Sequence, residues 1–284
     1  MIRPSTIGTR NLNRLTKLAQ SIWIGVVLGS CSVLVNQFAF HPMRADADEL
    51  GHLPAPVVDL DLTNPDGTRI HALYLQQKDR RQPLILYFHG NAGHVYHRLP
   101  YGRELFNRGY SVLMVEYRGY GRSTGKPSES GVYQDARTAR QFLLQTEKWP
   151  AEQIVILGRS LGSAVAVDLA AEYPPAALIL ITPFASAYDV ARQTGLGAFA
   201  WAARGAFDSA AKIASIQAPL LIIQGDRDQI TPLPSARSLF AASPLPSNQK
   251  QFLLIPGAGH NDIVSVDAER YWATITGFIK QHSN

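Results

Sequence analysis

Ser160 stands between Gly158 and Gly162 in a Gly-x-Ser-x-Gly pattern, which is the clearest chemical signal in the chain. An apolar run over residues 154–157 precedes the pattern, and mostly small residues follow it over residues 163–169. This order predicts a buried strand, a tight turn and a helix, a setting in which a serine hydroxyl is presented as a nucleophile. The flanking glycines carry no Cβ and leave the turn uncrowded. Because the pattern also arises by chance, its assignment depends on the rest of the chain.

A glycine-containing loop over residues 89–93 follows another apolar run, over residues 84–88. Such a loop is in many proteins only a turn that leads into a helix. Beside a nucleophilic serine, it would supply a backbone N–H to the negatively charged oxygen of a reaction intermediate. We predict that the N–H of Asn91 has this role together with the N–H of Leu161, at the start of the helix after Ser160.

The elements that must position these residues follow from apolar runs and alternating segments. Alternation over residues 57–62 and 70–75, around an Asn-Pro-Asp-Gly turn, predicts a β-hairpin. Further strands are predicted over residues 84–88, 110–115, 154–157, 177–181, 220–223 and 252–255. Helices are predicted over residues 97–108, 131–148, 161–173, 234–242 and 265–281. The alternation of strands and helices predicts an α/β fold with a mostly parallel, doubly wound sheet and the hairpin at one edge.

Three motifs together resemble those of the α/β-hydrolase superfamily, specifically its membrane-anchored Bem46-like branch. They are the 89–93 loop, the Glu-Tyr-Arg-Gly-Tyr-Gly-Arg-Ser segment over residues 116–123, and the pattern around Ser160. The resemblance runs from about residue 55 to the end and implies an α/β-hydrolase fold with a sheet of about eight strands. Two departures are visible, because Glu116 stands where the family usually has aspartate and Ser163 where a further glycine is common.

The resemblance also implies the chain order nucleophile, acid, base. Asp226 and Asp228 both follow the apolar run over residues 220–223, and the residues alone leave both open. The resemblance favours Asp228, because the family's acid lies three residues after a glycine and shortly before a proline; Asp226 is the alternative, otherwise a turn cap. His260 lies in a glycine loop after the last strand and before the last helix, so we predict it as the general base. A lone loop histidine is otherwise a solvated surface residue.

Residues 182–218 lie where α/β-hydrolases insert a cap, and their length allows two or three short helices. We therefore predict a small cap over an open, apolar site. Metal ligation by His89, His94 and His97 is not expected, since they lack the spacing of a helical metal motif, and we predict neither a metal nor a cofactor.

Three arginines near these motifs have two possible roles. Arg118, Arg122 and Arg159 line the site or, as is more common, form structural ion pairs.

The positive charge of the chain is concentrated at its N-terminus. The chain has 27 basic and 22 acidic residues, and five of the basic ones precede the first acidic residue, Asp46. The remaining 22 basic residues balance the 22 acidic ones, which argues against a nucleic-acid-binding face. The single cysteine, Cys31, excludes a disulfide within the chain.

Residues 18–40 form a nearly uninterrupted apolar run after a basic tail over residues 1–17. As a helix at about 1.5 Å per residue the run would cross a hydrocarbon core of roughly 30 Å, so we predict a membrane anchor or an uncleaved signal. The flanking charges favour an N-inside orientation, with the catalytic domain on the far (periplasmic, extracytoplasmic or lumenal) side. A buried core helix is one alternative, and a lipoprotein anchored through Cys31, after Leu-Gly-Ser, is another. A linker over residues 41–56 and a hydrolase domain over residues 57–284 would follow.

These observations predict a membrane-tethered serine hydrolase that cleaves carboxylic ester or thioester bonds through an acyl-enzyme. Its triad would be Ser160, Asp228 and His260, and its substrate a small-molecule or lipid-like acyl compound. A peptidase or amidase on the same fold, and a non-catalytic membrane scaffold, are the alternatives.

Overall fold

The computed structural model of the chain describes residues 39–46, 53, 55–193 and 197–283. The basic tail, Cys31 and all but the last two residues of the predicted anchor lie outside these ranges. Within them, no helix has both the length and the apolar character needed to cross a membrane.

Eight strands form one sheet in the described part of the chain. They are β1 (Val57–Thr63), β2 (Arg69–Leu75), β3 (Leu84–Phe88), β4 (Ser111–Val115), β5 (Ile154–Arg159), β6 (Ala177–Ile181), β7 (Leu220–Gly225) and β8 (Lys250–Ile255). Their order is β1-β2-β4-β3-β5-β6-β7-β8. β1 and β2 pair antiparallel, β2 pairs antiparallel with β4, and all other pairs are parallel. The fold is therefore the predicted α/β arrangement, with the hairpin at one edge.

Eight α-helices are described. They are α1 (Leu99–Asn107), α2 (Glu129–Gln145), α3 (Leu161–Glu172), α4 (Ala187–Gln193), α5 (Ser209–Ile213), α6 (Leu233–Ala242), α7 (Ile263–Val266) and α8 (Ala268–His282). Short 3-10 helices span Val95–Arg98, Ala151–Gln153 and Gly197–Ala203. The single helices predicted over residues 97–108 and 265–281 are each divided in two. A 3-10 turn over Val95–Arg98 precedes α1, which has Pro100 in its first turn, and Asp267 caps α8 after α7.

Alternate residues of the central strands pack on opposite faces of the sheet. In β3, Leu84, Leu86 and Phe88 face one core, whereas Ile85 and Tyr87 face the other. Helices α2, α3, α5 and α6 cover the first face, and α1 and α8 cover the second. The carboxyl ends of β3 to β8 therefore meet at one edge between two helical layers, and the loops that leave this edge carry the predicted site residues.

The interval between β6 and β7, where the sequence predicts a small cap, contains α4, the Gly197–Ala203 turn and α5. Phe207 anchors this interval. It is 1% exposed, and its ring centroid lies 6.1 Å from that of Tyr133 and 6.4 Å from that of Phe184.

Candidate active site

Ser160 lies at the junction of β5 and α3 in a backbone conformation that non-glycine residues rarely adopt. Its φ is 53° and its ψ is −120°. Such a conformation costs on the order of 1–3 kcal/mol and persists only where the surroundings enforce it. Here the Ser160 N–H donates to the carbonyl of Ile181 at 2.9 Å, at the end of the neighbouring strand β6. The sharp turn between strand and helix is thus present.

Gly158 and Gly162 were predicted to leave the turn at Ser160 uncrowded, and the structure shows that they permit a close approach of backbone segments. A Cβ on Gly158 would lie 2.2 Å from the carbonyl oxygen of Gly162, and a Cβ on Gly162 would lie 2.1 Å from that of Phe88. The two glycines therefore allow α3 to approach β5 and β3 closely. Ser163 does not crowd this turn, because its hydroxyl donates to the Ser160 carbonyl at 2.6 Å.

His260 lies between Ser160 and Asp228. Its Nε2 is 2.9 Å from the Ser160 Oγ, and its Nδ1 is 2.8 Å from Asp228 Oδ2. With the proton on Nδ1 donated to the carboxylate, Nε2 is free to accept from the serine hydroxyl. Asp226 is exposed and instead accepts the N–H of Gly257 at 2.7 Å. Of the two acids in this loop, Asp228 is the one that contacts the histidine.

The Asp228 side chain is 0% exposed, and its carboxylate is surrounded by donors. Oδ1 accepts the backbone N–H groups of Ile230 and Thr231 at 2.9 and 2.8 Å, and Oδ2 accepts from the Thr231 hydroxyl at 2.9 Å and the Gln224 amide at 3.1 Å. Burial alone would raise the pKa of Asp228, but the hydrogen bond and charge of His260, with the Thr231 hydrogen bonds, outweigh it and hold the pKa below its ordinary value. The carboxylate is therefore kept ionised and fixed in direction.

Two contacts that position His260 were not anticipated from the sequence. The Arg159 guanidinium donates through Nη2 to the backbone carbonyl of His260 at 3.0 Å. The Thr231 hydroxyl lies 3.1 Å from the His260 Nδ1 and 3.0 Å from the carbonyl of Thr182. In the sequence, only Pro232 helped to identify this loop, and Thr231 before it was given no role. Arg159, adjacent to Ser160, therefore contacts the histidine loop.

The 89–93 loop lies directly against Ser160. A Cβ on Gly90 would be 3.3 Å from the Cβ of Ser160. Within the described residues, no acceptor receives the backbone N–H of Asn91 or of Leu161. Leu161 is the first residue of α3, where the first N–H groups have no partner in the helix. Two backbone donors without a partner among the described residues therefore lie in the two segments next to Ser160.

A buried pair of side chains, His89 and Glu116, holds this loop in position. His89 and Glu116 are both 0% exposed, and the His89 Nε2 lies 2.8 Å from Glu116 Oε1. The other carboxylate oxygen accepts the N–H of Val95 at 2.7 Å, and the His89 Nδ1 lies 2.7 Å from the Gly90 carbonyl. Both ring nitrogens face an acceptor, so a ring proton on either nitrogen has a hydrogen-bond partner. Among the described residues no group of three or more potential ligands is arranged to hold a metal.

Arg118 and Arg122 take part in ion pairs. Arg118 contacts the buried Asp135 at 2.8 Å and Asp66 at 2.9 Å. Arg122 pairs with Asp59, on β1. These two arginines thus tie the segment after β4 to neighbouring elements.

The first residues of the predicted linker over residues 41–56 contact the 89–93 loop beside Ser160. We call residues 40–45 the strap. The His41 N–H donates to the side-chain oxygen of Asn91 at 2.7 Å, Pro42 forms an isolated β-bridge with Gly93, and the Gly121 N–H donates to the Met43 carbonyl at 2.8 Å. Within the strap, Phe40 is 4% exposed, and its ring centroid lies 5.8 Å from that of Phe207.

The chain is similar in sequence to several hydrolase-fold proteins. Residues 79–206 match the family model described as "Serine aminopeptidase, S33". An uncharacterized protein of Mycobacterium tuberculosis is 36% identical over 235 residues, which cover 78% of this chain and 81% of that protein. Protein bem46 of Schizosaccharomyces pombe is 32% identical over 78% of this chain and 76% of its own length. The human alpha/beta hydrolase domain-containing protein 17B is also 32% identical, over 69% of this chain and 67% of its own length.

Solved structures show the same fold at lower identity. An esterase of Pyrococcus furiosus superposes with a TM-score of 0.69 at 19% identity, covering 86% of this chain and 100% of the esterase. A puromycin-hydrolysing peptidase of Mycobacterium tuberculosis superposes with a TM-score of 0.64 at 19% identity, covering 82% of this chain and 42% of the peptidase. From its relatives and its fold, the chain belongs to the α/β-hydrolase family, in the branch that includes the Bem46 protein.

Proposed function

We propose that this α/β-hydrolase is a serine hydrolase that cleaves carboxylic ester or thioester bonds through an acyl-enzyme. The observation that carries the proposal is the continuous hydrogen-bonded relay from Ser160 through His260 to Asp228, with distances of 2.9 and 2.8 Å. A relay of this kind activates a serine that is a weak nucleophile at its ordinary pKa. The strained turn at Ser160 supports the same role, because strain is retained where function requires it.

In this mechanism the Ser160 Oγ attacks the substrate carbonyl carbon as its proton passes to the His260 Nε2. The carbonyl oxygen becomes an anion that accepts the backbone N–H groups of Asn91 and Leu161. Collapse of the intermediate breaks the bond to the leaving alkoxide or thiolate, which takes the proton from His260. Water then attacks the acyl-enzyme with His260 as base, which releases the acid and restores the hydroxyl. Asp228 stabilises the imidazolium in both steps.

Labelling with a fluorophosphonate probe, together with hydrolysis of a short p-nitrophenyl ester, tests this proposal. The wild-type chain is expected to react with the probe and to turn over the ester. Ser160→Ala is expected to lose both activities, whereas Ser247→Ala, at an exposed loop serine, is the matched control and keeps both. Equal behaviour of wild type and Ser160→Ala would contradict the proposal and favour a non-catalytic scaffold.

An amidase or peptidase is the second candidate, because the matching family model carries the description of a serine aminopeptidase. The same triad cleaves either bond, so the leaving group decides between the two functions. Matched substrates with one acyl group, an alkyl ester, an alkyl thioester and an anilide, separate them. The proposal expects kcat/KM for the ester or thioester to exceed that for the anilide after correction for the uncatalysed rates; the reverse order would assign a peptidase.

The apolar run over residues 18–40 completes the proposal as a membrane anchor, N-inside, with the hydrolase domain on the far side. Its length, the preceding cations and the absence of acidic residues before Asp46 support this role. Lipidation of Cys31 would also tether the chain, but only after cleavage of the preceding residues. Membrane fractionation with mass spectrometry of the mature N-terminus distinguishes an intact anchor from a lipidated Cys31, and recovery in the soluble fraction would contradict both.

A further inference from the structure

Large apolar side chains are exposed around the edge of the sheet that carries Ser160. Trp201 is 55% exposed, Met43 51%, Ile230 50% and Val266 44%. Each lies on a segment at the carboxyl end of the parallel strands: Trp201 between β6 and β7, Ile230 after β7, Val266 after β8, and Met43 on the strap. Val58, 49% exposed on β1, is the remaining large exposed apolar residue within the described part of the chain. We call the first four the apolar rim.

The strap fixes where the apolar run over residues 18–40 meets the domain. Phe40, its last residue, is buried against Phe207, and Pro42 is already paired with Gly93 in the loop beside Ser160. No free linker therefore separates the run from the site. Phe40 belongs to the core of the domain, so a membrane-crossing part of the run would end before it. Three extended residues span about 10 Å, so a span that ended at Ala39 would be about that far from Pro42, beside the loop at Ser160.

Basic side chains lie on the same edge. A surface cleft of about 340 Å³ is lined by Arg44, Arg69, Arg122 and Asp61. Arg122 is ion-paired with Asp59 and Asp61, so the positive charge of the lining available to a headgroup is that of Arg44 and Arg69. Arg44 belongs to the strap and donates to the carbonyl oxygens of Ser123 and Gly119. Arginines close to a bilayer contribute about 1 kcal/mol each to attraction by anionic headgroups. Apolar residues next to basic ones are the composition of a surface that rests on lipid.

We propose that the apolar rim docks on the membrane that holds the anchor, so that the active site opens toward the lipid. The substrate class that fits is a membrane-resident ester or thioester whose acyl chain enters from the bilayer, in preference to a freely soluble ester. This inference rests on the proposed function, since it assigns the surface from which that site receives its substrate.

A fluorophore placed at single positions in the full-length chain tests the proposal. Cys31→Ser removes the single cysteine, and Ile230→Cys or Val58→Cys then introduces one label site at closely matched exposure, 50% against 49%. Each protein is labelled with an environment-sensitive dye and reconstituted into vesicles of phosphatidylcholine and phosphatidylglycerol that contain nitroxide-labelled lipid. Flotation confirms that the protein is in the vesicles, and hydrolysis of a soluble p-nitrophenyl ester in the same vesicles reports the proposed function separately.

The proposal expects nitroxide quenching at position 230 to be at least twice that at position 58. Equal quenching at both positions, or none at either in vesicles that float with the protein, would overturn it while leaving the serine hydrolase untouched. Failure to float would overturn the docking together with the anchor. Loss of soluble-ester hydrolysis in every variant and in the unlabelled chain would instead count against the proposed function.

A second readout uses activity. With Ile230→Ser, hydrolysis of a long-chain ester dissolved in the bilayer is expected to fall at least threefold relative to hydrolysis of the soluble ester. With Val58→Ser the ratio of the two rates is expected to stay at the wild-type value. An unchanged ratio in both variants would contradict the docking, because removal of a rim side chain would then have no effect on access from lipid.

Discussion

The carboxylate of Glu116 holds the loop beside Ser160 by two hydrogen bonds, and its removal has a calculable consequence. One carboxylate oxygen accepts the Val95 N–H at 2.7 Å, and the other lies 2.8 Å from the His89 Nε2. Glu116, Val95 and His89 are all fully buried. Glu116→Ala leaves two buried polar groups, the Val95 N–H and the His89 Nε2, without a hydrogen-bond partner. At about 1–3 kcal/mol for each unsatisfied group, the free energy of unfolding should fall by about 2–6 kcal/mol. That is a large fraction of a typical total of about 5–15 kcal/mol.

Glu116→Gln is the matched control, because glutamine has the same length. Its amide oxygen accepts the Val95 N–H, and its amide nitrogen donates to the His89 Nε2 once the ring proton is on Nδ1, bound to the Gly90 carbonyl. Every donor then keeps a partner, so the expected loss is about 1 kcal/mol. Glu116→Asp is shorter by one methylene, about 1.5 Å, and reaches one of the two donors; its loss should lie between those of the other variants.

Urea unfolding of the three variants measures these losses, and the soluble-ester assay at low urea measures the position of the loop. Glu116→Ala should lower kcat by more than Glu116→Gln does. The upper limit is a fall of about a hundredfold to a thousandfold, which is the effect of losing one oxyanion donor. If Ala and Gln lower the free energy of unfolding equally, the two hydrogen bonds do not account for the stability of this loop.

Other expectations concern the acid and the glycines. Asp228→Asn should lower kcat about ten-thousandfold by favouring the wrong histidine tautomer, whereas Asp226→Asn, at an exposed position, should stay within twofold in the same ester assay. The pKa of Asp228 lies below its ordinary value of 3.8, so the ionised carboxylate contributes fully to stability above pH 3.8. This contribution is lost as the pH falls through the lowered pKa. The free energies of unfolding of wild type and Asp228→Asn should therefore converge below the lowered pKa. Gly162→Ala places a Cβ 2.1 Å from a carbonyl oxygen of β3 and should abolish soluble expression or activity. Gly277→Ala, exposed in α8 with nothing within 4 Å of its Cβ, should raise the free energy of unfolding by about 0.5–1 kcal/mol in urea.

The central strands could be predicted because they are buried on both faces, so that nearly every residue is apolar. The run over residues 84–88 predicted β3 to the residue, and the alternation over residues 57–62 predicted all but the last residue of β1. β8 begins two residues earlier than predicted, at Lys250, because it is the edge strand and accepts polar residues that no apolar pattern reveals.

The sequence indicates a site residue only where a local pattern of neighbouring residues marks it. Ser160 is set by its flanking glycines, and His260 by its loop between strand and helix. The pairing of His89 with Glu116 joins residues 27 positions apart, and the contact of Arg159 with the His260 carbonyl spans 101 positions. Neither segment has a pattern that specifies its partner, so only the folded arrangement brings these contacts into view. The resemblance to the family supplied the choice of Asp228, which spacing alone left open.

The strap contributes a constraint on the time at which the site is completed during synthesis. The His41 N–H is bound by Asn91, 50 positions later, and by the Tyr120 hydroxyl, 79 positions later. At about 5–20 residues per second, the ribosome adds the second of these partners about 4–16 s after the strap itself. The strap is therefore made before every partner it contacts. Throughout that interval Phe40 has no Phe207 to pack against, since Phe207 is made later still.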